Sequence, residues 1–486
     1  MTGPEDDAAL PPLSLRPDEL RRLGYRVVDA IADHLAGLGD LPPVTVGAPA
    51  DLRARLAEPP PEQPSAADAV LDQVLRDVLP FAQHGDHPRF FARISSPSNP
   101  VGVLADALAA GHNAFVGSWT GGSGAATVEL VTLEWLRELF GLPAGGEGAF
   151  VSGGSVANLT AVAAARTARL GGHHPRATVY LSDQAHASIA RGLRVLGFEA
   201  ARIRVLPSDD ALTLPVAALA AAVAHDRAAG LRPFCVVATA GSTNTGAVDP
   251  LHALADLAAA EGMWLHADAA YGGPAVLCEP GRRALAGLER VDSLAVDPHK
   301  WLFQPYEIGC VLVREPGVLT QTFALHPEYL ADVSGRPGEV NFFDRGIQLT
   351  RGFRALKLWM TIKVFGLAAL RDAVARGIAL AEHAERRLRA GPWEVVTPAQ
   401  LAIVSFRPRR EDGDRLVPRL VDGTTQGGFA AVSSTTLRGR PVLRLCTINP
   451  RTTTDDLDAT IEGLERLVRE SPSSPTSSTT RCRTDA

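Results

Sequence analysis

Two stretches decide the fold of this chain: His266-Ala267-Asp268-Ala269-Ala270-Tyr271 and Asp297-Pro298-His299-Lys300-Trp301-Leu302. In the second, a lysine stands behind a histidine just after a short apolar run, Leu294 to Val296. An amine so placed suits burial at a strand end, where it can form an imine with a carbonyl. Asp268 precedes Lys300 by 32 positions (300 − 268) and closes another apolar run, Gly262 to Leu265. Either motif alone reads as a solvated charge. In this order and spacing they predict a Lys and an Asp at neighbouring strand ends of one sheet.

Working outward, short β-rich runs alternate with helical stretches from about residue 100 to 350. The predicted strands are Ala149–Val151, Ala177–Leu181, Arg202–Leu206, Phe234–Thr239, Met263–Ala267, Ser293–Val296 and Gly309–Val313. Helices are predicted at Val156–Leu170, Pro215–Ala229 and Pro250–Gly262. This alternation predicts an α/β fold with a mostly parallel seven-stranded sheet covered by helices on both faces. Ligands of such sheets lie beyond the carboxyl ends of the strands, where Thr239, Asp268 and Lys300 fall. After a long helix from Arg351, strands at Gly391–Val396, Ala402–Arg407, Phe429–Ser433 and Val442–Thr447 and a helix at Thr453–Arg469 predict a smaller α+β region. Near the start, helical periodicity runs from Pro17 to Leu38 and again from Ala66 to Leu79, around a proline-rich linker at 56–64. These two helices have no evident core of their own. Residues 1–12 and the serine-rich tail after Glu470 are too polar to pack.

Composition narrows the function classes. The 486 residues are 46% hydrophobic and 21% charged, enough for two or three domains around a sizeable core. A formal charge of −6 argues against a polyanion as the main partner, and no basic face for nucleic acid stands out. The 5 cysteines form no metal-ligand spacing, and His173-His174 has no acidic or thiol partner at such spacing, so no metal site is expected. Their odd number and apolar settings fit a reducing cytoplasm. No secretory h-region is visible at the start, and no apolar stretch reaches the ~18–20 residues that span a bilayer. A soluble, cytoplasmic protein without a membrane partner is expected.

Three further segments carry chemistry. Val151-Ser152-Gly153-Gly154-Ser155 follows a strand and opens a helix, so its backbone N–H groups can meet an anion. Gly154 and Ser155 are candidate phosphate ligands, or else form a glycine turn capped by a serine. His186, in Asp183-Gln184-Ala185-His186, offers a flat ring to a cofactor, though it also reads as a structural histidine. The loop from Thr239 to Gly246 brings hydroxyls and open backbone to a strand end. A lysine for an aldehyde and a carboxylate for a protonated ring nitrogen are what pyridoxal 5'-phosphate requires. A pyridoxal-phosphate enzyme is the reading these residues favour.

With these segments in view, the chain resembles a pyridoxal-phosphate-dependent group II amino-acid decarboxylase and is similar to the aromatic-L-amino-acid decarboxylases. The resemblance runs from about 15 to 470 and is carried by His87-Pro88-Arg89-Phe90-Phe91-Ala92, Ser118-Trp119, the glycine turn at 152–155, Asp183–His186, the loop at 238–246, the two opening motifs and Arg351-Gly352-Phe353-Arg354-Ala355-Leu356-Lys357-Leu358-Trp359. It implies fold type I and a homodimer with the active site at the subunit interface, across which the N-terminal helices pack. The implied division is an N-terminal helical dimerisation segment at 1–95, a large cofactor-binding domain at 96–350, a small C-terminal domain at 351–471 and a disordered tail at 472–486. It further implies that Lys300 carries the cofactor, Asp268 pairs with its ring nitrogen, His186 stacks on the ring, and Gly154 and Ser155 bind phosphate. Thr239, Ala270, Asp297 and His299 fall on cofactor-site positions, and Ser96 on a position near cofactor and substrate.

Departures from the family pattern bear on the substrate and the product. Arg93 stands where aromatic decarboxylases often have Tyr, and Gly117 where they often have Phe, both in the expected substrate pocket. Val156 replaces a common Glu. The resemblance also implies a loop tyrosine that protonates the substrate α-carbon. Counting back from Phe353 without a gap puts Phe342 there, and no tyrosine occurs between Leu330 and Arg354. The main expectation is decarboxylation of an aromatic or related L-amino acid to its amine. A decarboxylating aldehyde synthase, an aminotransferase and an inactive homologue are the alternatives.

Overall fold

The computed structural model describes residues 11–325, 328, 333 and 336–471. Its larger sheet has seven strands: β1 (Glu147–Val151), β2 (Ala177–Ser182), β3 (Ile203–Leu206), β4 (Arg232–Thr239), β5 (Trp264–Asp268), β6 (Ser293–Val296) and β7 (Gly309–Val313). They lie in the order β1-β7-β6-β5-β4-β2-β3. β2 to β6 run parallel to one another, and β7 is antiparallel to both β1 and β6. The expected mostly parallel sheet is therefore present, with each strand close to its predicted bounds. Near-continuous apolar runs, as in Phe234–Ala238, form its buried strands because helices cover both faces. The helices Gly154–Leu170, Val216–Ala228 and Leu251–Ala260 supply part of that cover.

Register sets up the site. Thr239 of β4 pairs with Asp268 of β5, and Asp268 pairs with Ala295 of β6. Past the strand ends the loops stay tied, with Ala240 N donating to the Asp268 carbonyl and Ala269 N to the Ala295 carbonyl. Asp297 N then donates to the carbonyl of Ala270. The loops that follow the three strands are thus held against one another.

The smaller sheet is antiparallel, ordered β10-β11-β9-β8, from β8 (Trp393–Gln400), β9 (Ile403–Pro408), β10 (Ser433–Leu437) and β11 (Arg440–Cys446). Helices Gly413–Gln426 and Thr454–Glu470 pack on it, around Trp393, Phe406 and Leu443. One strand differs from expectation. The apolar run at 429–432 precedes β10 and is engaged elsewhere: Phe91 N donates to the Ala431 carbonyl, and Ala431 N to the Arg89 carbonyl. β10 itself is the polar, half-exposed Ser433–Leu437, as suits a sheet edge. The long helix begins at Ala355, four residues later than the sequence suggests, because 351–352 are extended against 115–116.

The helix Pro17–Gly37 buries none of its residues in this chain, and Leu20 and Tyr25 are 60% and 66% exposed. The N-terminal ten residues and the tail at 472–486, both expected to be unpacked, lie outside the described residues.

Candidate active site

A cavity of about 380 Å³ opens at the carboxyl ends of β4, β5 and β6. Its wall brings together Gly154, Ser155, His186, Thr239, Asp268, Ala270, Asp297, His299 and Lys300, nine residues singled out in the sequence. Each arrives by a simple local route. Thr239 and Asp268 end their strands, and Asp297 to Lys300 form the turn that leaves β6. Gly154 and Ser155 open the helix after β1, whose first-turn N–H groups have no partner within the helix. His186 caps the helix Ala187–Val195, its Nδ1 accepting from Ser188 N at 3.3 Å. That acceptance places the ring proton on Nε2.

The electrostatics centre on Lys300. Its Nζ lies 2.9 Å from Asp297 Oδ2, and its side chain is 21% exposed, toward the cavity. Burial pulls the ammonium down, but the charge and hydrogen bond of Asp297, with Asp268 beyond, hold it above its ordinary value. His299 accepts from Ile308 N through Nδ1, and burial pushes its imidazole down, so it is neutral at pH 7. Behind Thr239, buried Asp249 accepts from the backbone N–H of Thr239 and of Leu214 at 2.7 Å each. Burial raises that carboxyl to about 6 against the pull of those two bonds.

These residues suit pyridoxal phosphate. Two buried polar atoms in the cavity wall, Thr239 Oγ1 and Asp297 Oδ1, have no partner in the protein, as expected where a polar ligand completes the site. Gly154 lets the glycine turn sit close: a Cβ there would stand 3.0 Å from Asp297 Oδ2 and 3.1 Å from Ala270 Cβ. A lysine, a carboxylate and a helix N-terminus surround one space large enough for the cofactor. No group of three or more metal-ligating side chains occurs among the described residues.

Three sequence candidates stand elsewhere. Ser96 is buried but does not line the cavity. Arg93 is exposed, has φ +54°, and donates from its guanidinium to Gln83 Oε1 at 3.1 Å. Phe342 requires a correction in its surroundings. The sequence count puts it on a loop above the substrate, yet it is 1% exposed in a short helix, Phe342–Arg345, against the core. The guanidinium groups of Arg351 and Arg345 lie 4.9 and 5.6 Å from its ring centroid. A buried ring between two cations is a packing element. Tyr329, one residue ahead of Leu330, lies outside the described residues.

Other wall residues went unassigned from the sequence. Asn158 follows Gly154 by one helical turn and so shares its face. Ser188 lies two residues past His186 and bonds its Nδ1 through Oγ at 2.8 Å. Tyr271 stacks on Trp301 with ring centroids 5.3 Å apart, and its hydroxyl accepts from Ala402 N, joining the cavity to the smaller sheet. The i+4 spacing alone could have found Asn158.

Known proteins agree with this geometry. Residues 49–409 match the pyridoxal-dependent decarboxylase conserved domain. The chain is 47% identical over 467 residues to an aromatic-L-amino-acid decarboxylase of Bacillus atrophaeus, covering 94% of this chain and 97% of the relative. It is 33% identical over 446 residues to a phenylacetaldehyde synthase of Arabidopsis thaliana, covering 88% and 91%. Among solved structures, Oryza sativa TDC with pyridoxal phosphate and tryptamine superposes with a TM-score of 0.90 at 32% identity, over 95% of this chain and 99% of that one. A lysine, a carboxylate and a glycine turn around one cavity, in a chain matched almost end to end, make this protein a member of the pyridoxal-dependent decarboxylase family, a pyridoxal-phosphate-dependent amino-acid carboxy-lyase.

Proposed function

We propose that the substrate is an aromatic L-amino acid and the main product its amine. The observation that carries the reading is the 47% identity, over nearly the whole chain, to a decarboxylase of aromatic amino acids. The Gly117 departure is compatible with it. A Cβ at 117 would stand 2.2 Å from Cζ of Phe115, so the phenyl ring of Phe115 occupies the space beside that backbone. An aromatic surface is retained from a neighbouring position.

Bound in the cavity, the cofactor supplies an aldehyde for the substrate amine and a ring that accepts the electron pair left when CO₂ departs. The protein does the rest. Lys300 is the covalent anchor, and Asp297, in contact with its Nζ, is placed to hold the proton that the amine sheds. Asp268 would pair with the ring nitrogen and keep it protonated. His186 would stack on the ring, with its Nε2–H free to meet the substrate carboxylate. Gly154 and Ser155 would hold the phosphate at the helix start, and Thr239, Ala270 and His299 would complete the cofactor contacts.

The active form in this reading is a cytoplasmic homodimer. Leu20, Tyr25, Val27 and Val28 on the first helix, Leu104 and Leu108 on Pro100–Gly111, and Val364 and Phe365 on the long helix are each 40–66% exposed. Apolar faces of this extent favour a second copy. No helix among the described residues is long and apolar enough to cross a membrane, and Cys235, Cys278, Cys310 and Cys446 are free and buried.

The aldehyde-synthase alternative drew on Phe342 as a loop residue over the α-carbon. Its packing between Arg345 and Arg351 removes that support. The deciding experiment is a screen of L-amino acids that follows CO₂, amine, aldehyde and peroxide together. Aromatic substrates should give amine and CO₂ in equal amounts. Turnover of only acidic or small aliphatic amino acids would overturn the substrate assignment, and stoichiometric peroxide would overturn the product.

A further inference from the structure

Behind Asp268 runs a chain of buried polar groups that no part of the cavity chemistry yet uses. Trp264 Nε1 donates to Ser293 Oγ at 2.8 Å, and Ser293 Oγ lies 2.8 Å from His266 Nδ1. His266 Nε2 lies 2.9 Å from Asn158 Oδ1, and Asn158 Nδ2 donates to Asp268 Oδ2 at 3.1 Å. Trp264, Ser293 and His266 are 0% exposed and Asn158 is 2% exposed, so water does not complete these bonds.

The direction of the chain is fixed at both ends. An indole N–H can only donate, and an ionised carboxylate can only accept. Ser293 therefore accepts from Trp264 and donates to His266 Nδ1. The imidazole carries its proton on Nε2 and donates to Asn158 Oδ1. The Asn158 amide in turn donates to Asp268. Turning that amide over would set oxygen against oxygen at Asp268. Each link gives one hydrogen bond and takes one, and burial holds the imidazole neutral by lowering it to about 4. The second N–H of Asn158 faces Ser188 Oγ at 3.4 Å, the group bonded to His186.

We propose that Asn158 and His266 are positioning residues that act through Asp268: a one-way hydrogen-bond chain from Trp264 holds the carboxylate as an acceptor aimed at the cofactor's ring nitrogen. The proposal rests on Asp268 being the partner of that nitrogen. Asp268 Oδ1 is steadied separately, accepting from Ala270 N at 3.2 Å. Without the Asn158 bond the carboxylate loses its one side-chain donor among the described residues and can turn about its own bond. The ring nitrogen would then share its proton less completely, and the ring would take up electrons less well. The same amide fixes Ser188, so both the carboxylate and the ring-covering His186 refer to one side chain.

The test uses holoenzyme loaded with cofactor carrying ¹⁵N at the pyridine nitrogen, whose resonance reports protonation directly. Asp268→Asn serves as the reference for a ring without its carboxylate. Asn158→Ala and His266→Phe should each move the resonance part of the way toward that reference. With it, kcat should fall about tenfold while KM changes less than about twofold, the loss of one charge-assisted hydrogen bond. His266→Gln, whose amide can accept from Ser293 and donate to Asn158, should restore resonance and turnover. Combining Asn158→Ala with His266→Phe should do no more than either alone, because both break one chain. If Asn158→Ala does not fold, the His266 pair still decides. A resonance unmoved in His266→Phe, while Asp268→Asn moves it, overturns the proposal and leaves the Asp268 assignment intact; lowered thermal stability alone would count the same way. A resonance unmoved even in Asp268→Asn overturns both.

Discussion

Gly309 touches no substrate, yet adding one methyl to it should disable the cofactor site. Gly309 opens β7 and pairs with Val151, the last residue of β1 before the phosphate turn. A Cβ built on Gly309 stands 2.4, 2.6 and 2.8 Å from Cα, C and N of Gly153. All three are backbone atoms, so no side chain can swing away. To open the closest contact even to 3.4 Å the two backbones must part by about 1 Å (3.4 − 2.4). The turn at 152–155 lies at the surface of the cavity and β7 lies inside the sheet, so the turn should move. A displacement of about 1 Å at a positioning element costs on the order of 100-fold in rate, and overpacking costs about 1–3 kcal/mol in stability. Gly309→Ala should therefore bind pyridoxal phosphate far more weakly while remaining folded. Cofactor titration by absorbance, with thermal unfolding of the apo and loaded forms, reads both effects. Wild-type cofactor affinity in Gly309→Ala would refute the argument, since it would mean that Gly153 does not hold the turn against β7.

Lys300→Ala should abolish turnover, and borohydride reduction of the wild type should leave the cofactor on the peptide containing Lys300; a label on another lysine would refute the assignment. Arg351→Met should cost about 3–5 kcal/mol, because it strands Glu129, 0% exposed and bonded to Arg351 at 2.6 Å. Adding Glu129→Leu should recover much of that loss in a denaturant titration, and no recovery would mean that the arginine acts through its bonds to the Val116 and Phe150 carbonyls. Phe342→Tyr should lower stability by placing a hydroxyl in the core and leave the amine-to-aldehyde ratio unchanged.

Much of this protein is legible in its sequence because the deciding signals are local. The apolar runs ending at Thr239, Asp268 and Val296 specify buried parallel strands, and the polar residues after them specify where those strands surface. A glycine turn opening a helix is likewise set within a few residues, so Gly154 and Ser155 could be found without knowing what faces them. The order of the motifs fixed the kind of cofactor, since few chemistries need a lysine and a carboxylate at adjacent strand ends.

Tertiary structure decided what depends on partners distant in the chain. Asn158 gains its place only because its helix crosses behind β5, where its amide meets both Asp268 and His266. Phe342 looked like a loop residue because counting along a chain cannot register that its ring lodges beside Arg345 and Arg351. The run at 429–432 has strand-like composition, but its backbone is taken by Arg89 and Phe91, some 340 residues away (431 − 91). Apolar periodicity says that a face will be buried and not against what. That choice is made by register, crossing helices and the hydrogen-bond partners left over when the sheets have formed.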